Sequence, residues 1–375
     1  MQLIQKITNE NSNTQSDKES ILSYTRPELE AVLTSIGMPR MRAAQLINWV
    51  YVRKAKSFDE MTDISAANRE LLKEKFIIRT FEVASKQEDK EGTSKYLFRL
   101  FDGSHIESVV MHYENRLSAC LSTQVGCPIA CPFCATGLDG LYRNLSVAEI
   151  VEQILALQDT SDIRINNIVF MGMGEPLLNY DNLLKAIKII QSNVGIGMRH
   201  ITISTSGIEP AIRKLADENL PLTLALSVHS ADPATRDVLV PINKKYPLPQ
   251  LIEAMKYYRE VTGRNVTLEY VILAGINDSE EQARQLAKIS RGVIGNINII
   301  PYNPVTETGY KRPAYSVIQK FNTILRNAGY KVTQRAEKGS TIKGACGQLR
   351  TQVGEYKMNR QNIKAQNKLN QLHNT

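Results

Sequence analysis

Between about residues 115 and 335 the chain repeats an apolar strand followed by an amphipathic helix six times, a pattern few architectures can accommodate. The strand segments read ACLSTQV, NNIVFMG, HITIST, LTLALSV, NVTLEYVIL and NINIIPY. Strands this apolar, each followed by a helical stretch, imply a parallel sheet covered by its crossover helices. The clearest helix opens at Ser146 with Glu149 as its capping-box partner, and Val147, Ile150, Val151, Ile154 and Leu155 follow on one face. A full eight-unit barrel typically needs about 250 residues. Six units predict an α/β fold built as a partial (β/α)6 barrel. Its ligand-handling residues belong at the C-terminal ends of the strands.

Other segments flank this body. Residues 1–20 are polar, with little to bury, and are expected to form a disordered tail. Residues 21–80 predict a small helical module. Thr25 and Glu28 form a capping box with Pro27 in the first turn, and Leu29, Val32, Leu33 and Ile36 share a face that stops at Gly37. A second helix carries Leu46, Ile47, Val50 and Tyr51, and a third carries Leu71, Leu72 and Phe76. Arg40, Arg42, Arg53, Lys54 and Lys56 give this module either a solvated face or an RNA contact. Residues 81–114 alternate as strands, with Asp102-Gly103 as the hairpin turn, and predict a β extension. Residues 115–350 hold the barrel and a C-terminal cysteine loop. Residues 351–375 form a basic polar tail, expected to fray or to attract RNA electrostatically.

Net charge is +8, from 46 basic against 38 acidic residues, which fits an enzyme leaning toward a polyanion and excludes a histone-like chain. No segment approaches the roughly 18–20 apolar residues of a membrane helix, and the opening segment lacks the apolar core of a secretory signal. A cytoplasmic location without a membrane partner is expected. The five cysteines are odd in number, which argues against a disulfide framework.

Cys127, Cys131 and Cys134 are spaced C-x3-C-x2-C directly after the first strand segment. Three thiolates can hold three irons of a cubane and leave the fourth open to a ligand. Zinc is the rival, but a structural zinc site wants four ligands, and no histidine or fourth cysteine stands nearby. The spacing and its position resemble the radical S-adenosylmethionine (SAM) superfamily. That resemblance implies one [4Fe-4S] cluster, whose open iron chelates the amino and carboxylate groups of SAM and whose reduction yields a 5′-deoxyadenosyl radical.

Polar or glycine residues fall at successive strand ends. Met171-Gly172-Met173-Gly174-Glu175-Pro176 closes the second strand, where glycines permit close backbone approach and Glu175 offers an acceptor to an amine or a ribose. Ser204 ends the third strand, Ser227-Val228-His229 ends the fourth, and Asn303 follows the last. This string resembles the RlmN/Cfr adenine methylases, and Gly174, Glu175, Ser204, Ser227, Val228, His229 and Asn303 match that family's SAM-contacting positions.

Cys120 and Cys346 lie far apart in sequence. Cys346 sits among glycines in Gly344-Ala-Cys346-Gly-Gln-Leu, near Lys343 and Arg350, a setting that suits a mobile, reactive thiolate. The string ACGQL resembles the family's methyl-carrying cysteine. Cys120, seven residues before Cys127, resembles its second catalytic cysteine, and Glu107 matches an acidic residue assigned to proton handling. The resemblance runs from about residue 22 to 350. It implies that two SAM molecules are used per turnover, one to methylate Cys346 by displacement and one to supply the radical. It implies methylation at adenine C2 of 23S rRNA, and of a tRNA adenine near the anticodon, by a monomer taking its electron from a donor such as flavodoxin or ferredoxin. Thr341 and Lys343 stand where the family usually has acidic residues. Three alternatives remain open: C8 methylation of the antibiotic-resistance type, a non-catalytic metal-stabilised RNA-binding protein, and a radical enzyme that activates another protein.

Overall fold

The computed structural model describes residues 18–350, apart from residues 115, 161–162 and 336–337. The expected tail at residues 351–375 lies outside the described residues, as do residues 1–17 of the expected N-terminal tail. Within residues 18–20, Lys18 Nζ donates to Lys73 O at 2.6 Å, and strand β1 (Glu19–Ser20) pairs parallel with β2 (Phe76–Ile77). This pairing closes the N-terminal module on itself.

Three helices fill that module: α1 (Arg26–Ser35), α2 (Arg42–Ile47), which continues as a π-turn over Asn48–Val52, and α3 (Ala66–Lys75). The Glu28 carboxylate accepts the Thr25 N–H at 2.8 Å and its hydroxyl at 2.7 Å, as the capping pattern requires. Phe76, expected inside the third helix, lies just past its end in β2, because β1 offers its backbone a strand partner and its ring is buried. Two of the basic side chains, both exposed, reach across to α4, the helix over Val147–Asp159. Lys54 Nζ donates to Gln158 O at 3.2 Å, and Lys56 reaches Asp159 at 4.0 Å. Arg53 lies 4.2 Å over the Trp49 ring.

The remaining strands belong to a ten-stranded sheet and a two-stranded ribbon. β3 (Glu82–Glu88), β4 (Ser94–Arg99), β5 (His105–Tyr113) and β6 (Arg116–Cys120) run antiparallel. At the β4–β5 turn Gly103 takes φ +79° and Asp102 accepts the Ser104 N–H at 2.9 Å. β6 then pairs parallel with β9 (Asn167–Phe170), so the β extension is hydrogen-bonded into the barrel sheet itself.

β7 (Gln124–Gly126) and β8 (Leu141–Asn144) form the separate ribbon. ACLSTQV, read as one strand, is therefore two. The Leu121 N–H makes a last bond to Val169 O at 3.0 Å, after which Thr123 and Gln124 donate to Met173 O. From β6 the parallel sheet runs through β9 (Asn167–Phe170), β10 (Ile201–Thr205), β11 (Thr223–Ser227), β12 (Val266–Ile272), β13 (Ile294–Pro301) and a short β14 (Val332–Gln334). β14 adds a seventh parallel strand that the alternation did not announce.

Helices α4 (Val147–Asp159), α5 (Tyr180–Ile189), α6 (Glu209–Asp217), α7 (Pro233–Leu239), α8 (Leu248–Thr262), α9 (Glu280–Ile289) and α10 (Tyr315–Asn327) lie in the crossovers. The two-residue period of β12 divides the core from the site. Leu268, Tyr270 and Ile272 pack outward, with the Tyr270 ring 5.2 Å from Phe321 of α10, while Glu269 and Val271 face the interior cavity. Buried Glu152 of α4 accepts the N–H groups of Thr80 and Phe81 at 2.6 and 2.8 Å, fixing the chain where it leaves the module. Among the described residues no helix is long and apolar enough to cross a membrane.

Candidate cofactor and active site

The cysteine loop springs from the β7–β8 ribbon. Gly126 takes φ +77°, and a Cβ there would stand 2.0 Å from Gly140 O, so only glycine lets the ribbon close. Cys127 N–H then bonds Gly140 O at 2.9 Å, and Cys134 N–H bonds Cys131 O at 3.1 Å. The three thiols line one cavity at the C-terminal end of the sheet. Burial pushes the Cys127 thiol up to about 12 and raises Cys131 and Cys134, and neighbouring thiols raise each further. A positively charged group is what three such crowded thiolates require. Among the described residues no three His, Cys, Asp or Glu side chains gather as one metal ion needs. Cubane ligands, each on its own iron, stand further apart. The donor set fits an iron–sulfur cluster.

Four strand ends make the opposite wall. Gly174 takes φ +104°, and a Cβ there would lie 2.5 Å from the Gln124 side chain. Glu175 is fully engaged by the protein. One oxygen accepts Leu177 N–H at 3.0 Å and Thr205 Oγ1 at 2.7 Å, and the other accepts the N–H and hydroxyl of Ser206, each at 2.7 Å. It thus joins the ends of β9 and β10. Ser204, Ser227, His229 and Asn303 line the cavity. Val228 is fully buried, and its N–H bonds Glu269 O at 2.9 Å.

His229 takes φ +57°, and its Nδ1 accepts the Val271 N–H at 3.1 Å, which leaves the ring proton on Nε2. Burial, then the nearby Arg236 cation, lowers its pKa to about 3. Buried Arg236 donates to Ser206 O at 2.9 Å, Ser227 O at 2.8 Å, Val228 O and Asn243 Oδ1, pinning this rim.

Cys346 lies on the wall shared by this cavity and a second one, which Cys120, Met111, Tyr113 and Lys338 also line. Cys120 is 6% exposed; burial first, and Cys346 next, push its thiol up to about 12. The cation facing both thiols is Arg335, which lines both cavities. Its N–H bonds Ile299 O at 2.9 Å and its Nη1 lies 3.3 Å from Met171 Sδ. Cys346 is the main cause holding its charge in place. Lys343 and Arg350, close to Cys346 in sequence, face elsewhere: Arg350 binds Asp139 at 2.7 Å and Glu307 at 3.0 Å, and Lys343 lines a separate cleft with Glu107. Sequence reasoning missed Arg335, Arg236 and Glu269. No spacing marks them; Glu269 and Arg335 lie on or beside a strand, and Arg236 lies within α7.

The Cys346 loop is tied on three sides. Ala135 N–H donates to Gly347 O at 2.7 Å, Thr136 Oγ1 to Leu349 O at 2.6 Å, and Asn303 Nδ2 to Cys346 O at 3.2 Å. Gly339 N–H reaches Asp89 at 3.2 Å. Glu107 accepts Arg350 N–H and Lys95 Nζ, each at 2.8 Å, and lies outside the two cavities that Cys346 borders.

A partial parallel barrel with a three-cysteine loop at its mouth defines the radical SAM class, and the radical SAM superfamily model matches residues 121–287. A second model, the ribosomal RNA large subunit methyltransferase N-terminal domain, matches residues 20–78. A probable dual-specificity RNA methyltransferase RlmN of Thermotoga neapolitana is 46% identical over 88% of this chain and 97% of its own length. A Staphylococcus aureus protein of the same description is 44% identical over 89% and 93%. The crystal structure of a radical SAM methyltransferase from Sphaerobacter thermophilus superposes with a TM-score of 0.86 at 40% identity, covering 88% of this chain and 99% of that one. The chain belongs to the RlmN family.

Proposed function

We propose that this chain is a radical SAM RNA methyltransferase that adds a methyl group to C2 of an adenine in 23S rRNA, and of a tRNA adenine near the anticodon, through S-methylated Cys346. The observation that carries the reading is the position of Cys346 between the cluster cavity and the Cys120 cavity. Cys127, Cys131 and Cys134 would hold the cluster, with SAM against the rim of Gly174, Ser204, Ser227, His229 and Asn303. Bound together, these groups supply an electrophilic methyl and, on one-electron reduction, a carbon-centred radical able to abstract hydrogen. Adenine C2 is not nucleophilic, so a polar methyl transfer cannot reach it.

Cys346 accepts the methyl on Sγ, with Arg335 stabilising the attacking thiolate. Carried as a thioether, the carbon can lose a hydrogen atom and add to the ring. The ring proton leaves and the adduct's unpaired electron would return to the cluster; Cys120, as a thiolate, then attacks Cys346 Sγ, breaks its bond to the RNA carbon and closes a disulfide, and that carbon takes a proton to become the methyl group. A thiol held near 12 stays protonated at neutral pH, so Cys120 must lose its proton within this chemistry. Glu107, the family's proton-handling position, is held here by Arg350 N–H and Lys95 Nζ, outside the cavity that Cys120 lines. Met41 and Val52, exposed beside the basic residues of the N-terminal module, extend a surface on which structured RNA would rest while the base is flipped into the barrel.

The test is nucleoside mass spectrometry of rRNA and tRNA from a strain lacking this gene, before and after its restoration. The expected result is 2-methyladenosine on restoration, with the RNA fraction naming the substrate. Appearance of 8-methyladenosine instead would move the reading to the C8 branch, and no change in either would overturn it.

A further inference from the structure

The Cys346 loop is a partition between cavities. Gly344, Ala345, Cys346 and Leu349 line the Cys120 cavity, of about 30 Å³, while Thr341, Lys343, Gln348 and Arg350 line a cleft of about 630 Å³. That cleft shares no lining residue with the Cys120 cavity or with the cluster cavity, of about 160 Å³. Its other wall is the face of the β extension. Leu97 of β4 is the register partner of both Ser85 on β3 and Glu107 on β5, and Gln87 is the partner of Lys95.

The charges of the cleft are already matched. Glu107 pairs with Lys95 at 2.8 Å, Glu307 with Arg350 at 3.0 Å, and Glu88 with Lys86 at 2.8 Å. Among the described residues only the exposed Lys343 ammonium is left over on this lining. An anion inside would meet three carboxylates for one spare cation, so the interior does not suit a phosphate. The side chains of Ser85, Gln87 and Thr341 have no partner among the described residues and can both donate and accept. Half-buried Leu97 lies beside Ser85 as an apolar surface on which a flat ring can rest. A neutral heterocycle with hydrogen-bonding edges fits this set, and in an RNA that group is a nucleobase. Gln348 lines the cleft two residues from Cys346, at most about 7 Å of chain. Two steps along a stacked strand, each about 3.4 Å, cover the same span.

We propose that this cleft holds the base of a nucleotide flanking the target adenine, with Lys343 on its phosphate. The inference rests on the RNA methyltransferase reading. Recognition then includes a neighbour of the reacting base as well as the base itself.

The test is steady-state methylation of an RNA stem-loop carrying the target adenine, with each flanking nucleotide replaced in turn by an abasic residue. The wild-type protein should lose about 10–100-fold in kcat/KM at one flanking position. Gln87→Ala combined with Thr341→Val, both at exposed positions, should weaken the intact RNA by a similar factor and erase the penalty at that position, with melting temperature retained. Abasic RNAs that are all methylated like the intact one overturn the proposal without any variant. A penalty that persists undiminished in the double variant also overturns it, because the base is then held elsewhere. If the wild-type protein methylates no RNA, the intact stem-loop included, the methyltransferase reading itself fails and the proposal falls with it.

Discussion

The carboxylate of Glu107 accepts the backbone N–H of Arg350 at 2.8 Å, so β5 holds the chain four residues beyond Cys346. The other carboxylate oxygen takes Lys95 Nζ, and burial raises the pKa of the group against that cation. In this conformation Glu107 is a clamp on the cysteine loop. Releasing this end of the loop frees one of the two carboxylate oxygens.

Glu107→Gln should therefore loosen the loop as well as slow turnover. Replacing a charged acceptor with an amide weakens a bond of about 1.5–3 kcal/mol, so amide hydrogen exchange across residues 344–350 should accelerate roughly tenfold or more. Unchanged protection there would show that the carboxylate does not tether the loop.

Cys346→Ala should abolish product while leaving the cluster absorbance intact, because it removes the methyl carrier and none of the three cluster thiols. Cys120→Ala should instead leave a protein–RNA adduct through Cys346, detectable as a band of reduced mobility on a denaturing gel. Clean turnover by the Cys120 variant would remove its resolving role.

Arg335→Met should slow methylation of Cys346 by SAM, read as the rate at which the intact protein gains one methyl mass in the absence of RNA. A contact with a charged group is worth about 1.5–3 kcal/mol, so a fall of about tenfold or more is expected. Arg335→Lys should recover part of it. Equal rates in all three proteins would place the source of thiolate stabilisation elsewhere.

His229 gives the fold a pH dependence with a definite sign. Its folded pKa, lowered to about 3, lies below the ordinary 6.5, so below pH 6.5 the unfolded chain binds a proton that the native state refuses. Its contribution to stability is whole above pH 6.5 and is lost as the pH falls toward 3, at about 1.4 kcal/mol per unit. His229→Asn keeps an acceptor for the Val271 N–H, and asparagine tolerates the left-handed backbone. Urea denaturation at pH 5 and pH 7 should show a smaller difference for the variant, and an identical difference would contradict this origin.

The features legible in the sequence are those set by local chemistry. Ser146 with Glu149, Thr25 with Glu28, and the Asp102-Gly103 turn are each decided within a few residues, and all three form. The cysteine spacing and the strand-end glycines belong to the same class. What escaped is set by register between distant strands. Glu269 is an orphan because Asn298 reaches only one of its oxygens, and Arg335 faces two thiols because the short β14 pairs with β13. Nearness in sequence misled in the other direction, since Lys343 and Arg350 adjoin Cys346 along the chain and point away from it. Glu175 lines the cavity, but its saturation depends on Thr205 and Ser206, thirty and thirty-one residues away.

The bond from Ala135 N–H to Gly347 O joins the residue after Cys134, a proposed cluster ligand, to the residue after Cys346, the proposed methyl carrier. Together with the bond from Thr136 Oγ1 to Leu349 O, this contact couples two halves of a proposed chemistry that would be harmful apart. A thiol seated to accept methyl groups, but lacking its radical source, would consume SAM and stall as a dead thioether. A radical source without its acceptor would attack whatever lay nearest. With the two loops bonded backbone to backbone, a displacement of the cysteine loop is passed directly to Cys346.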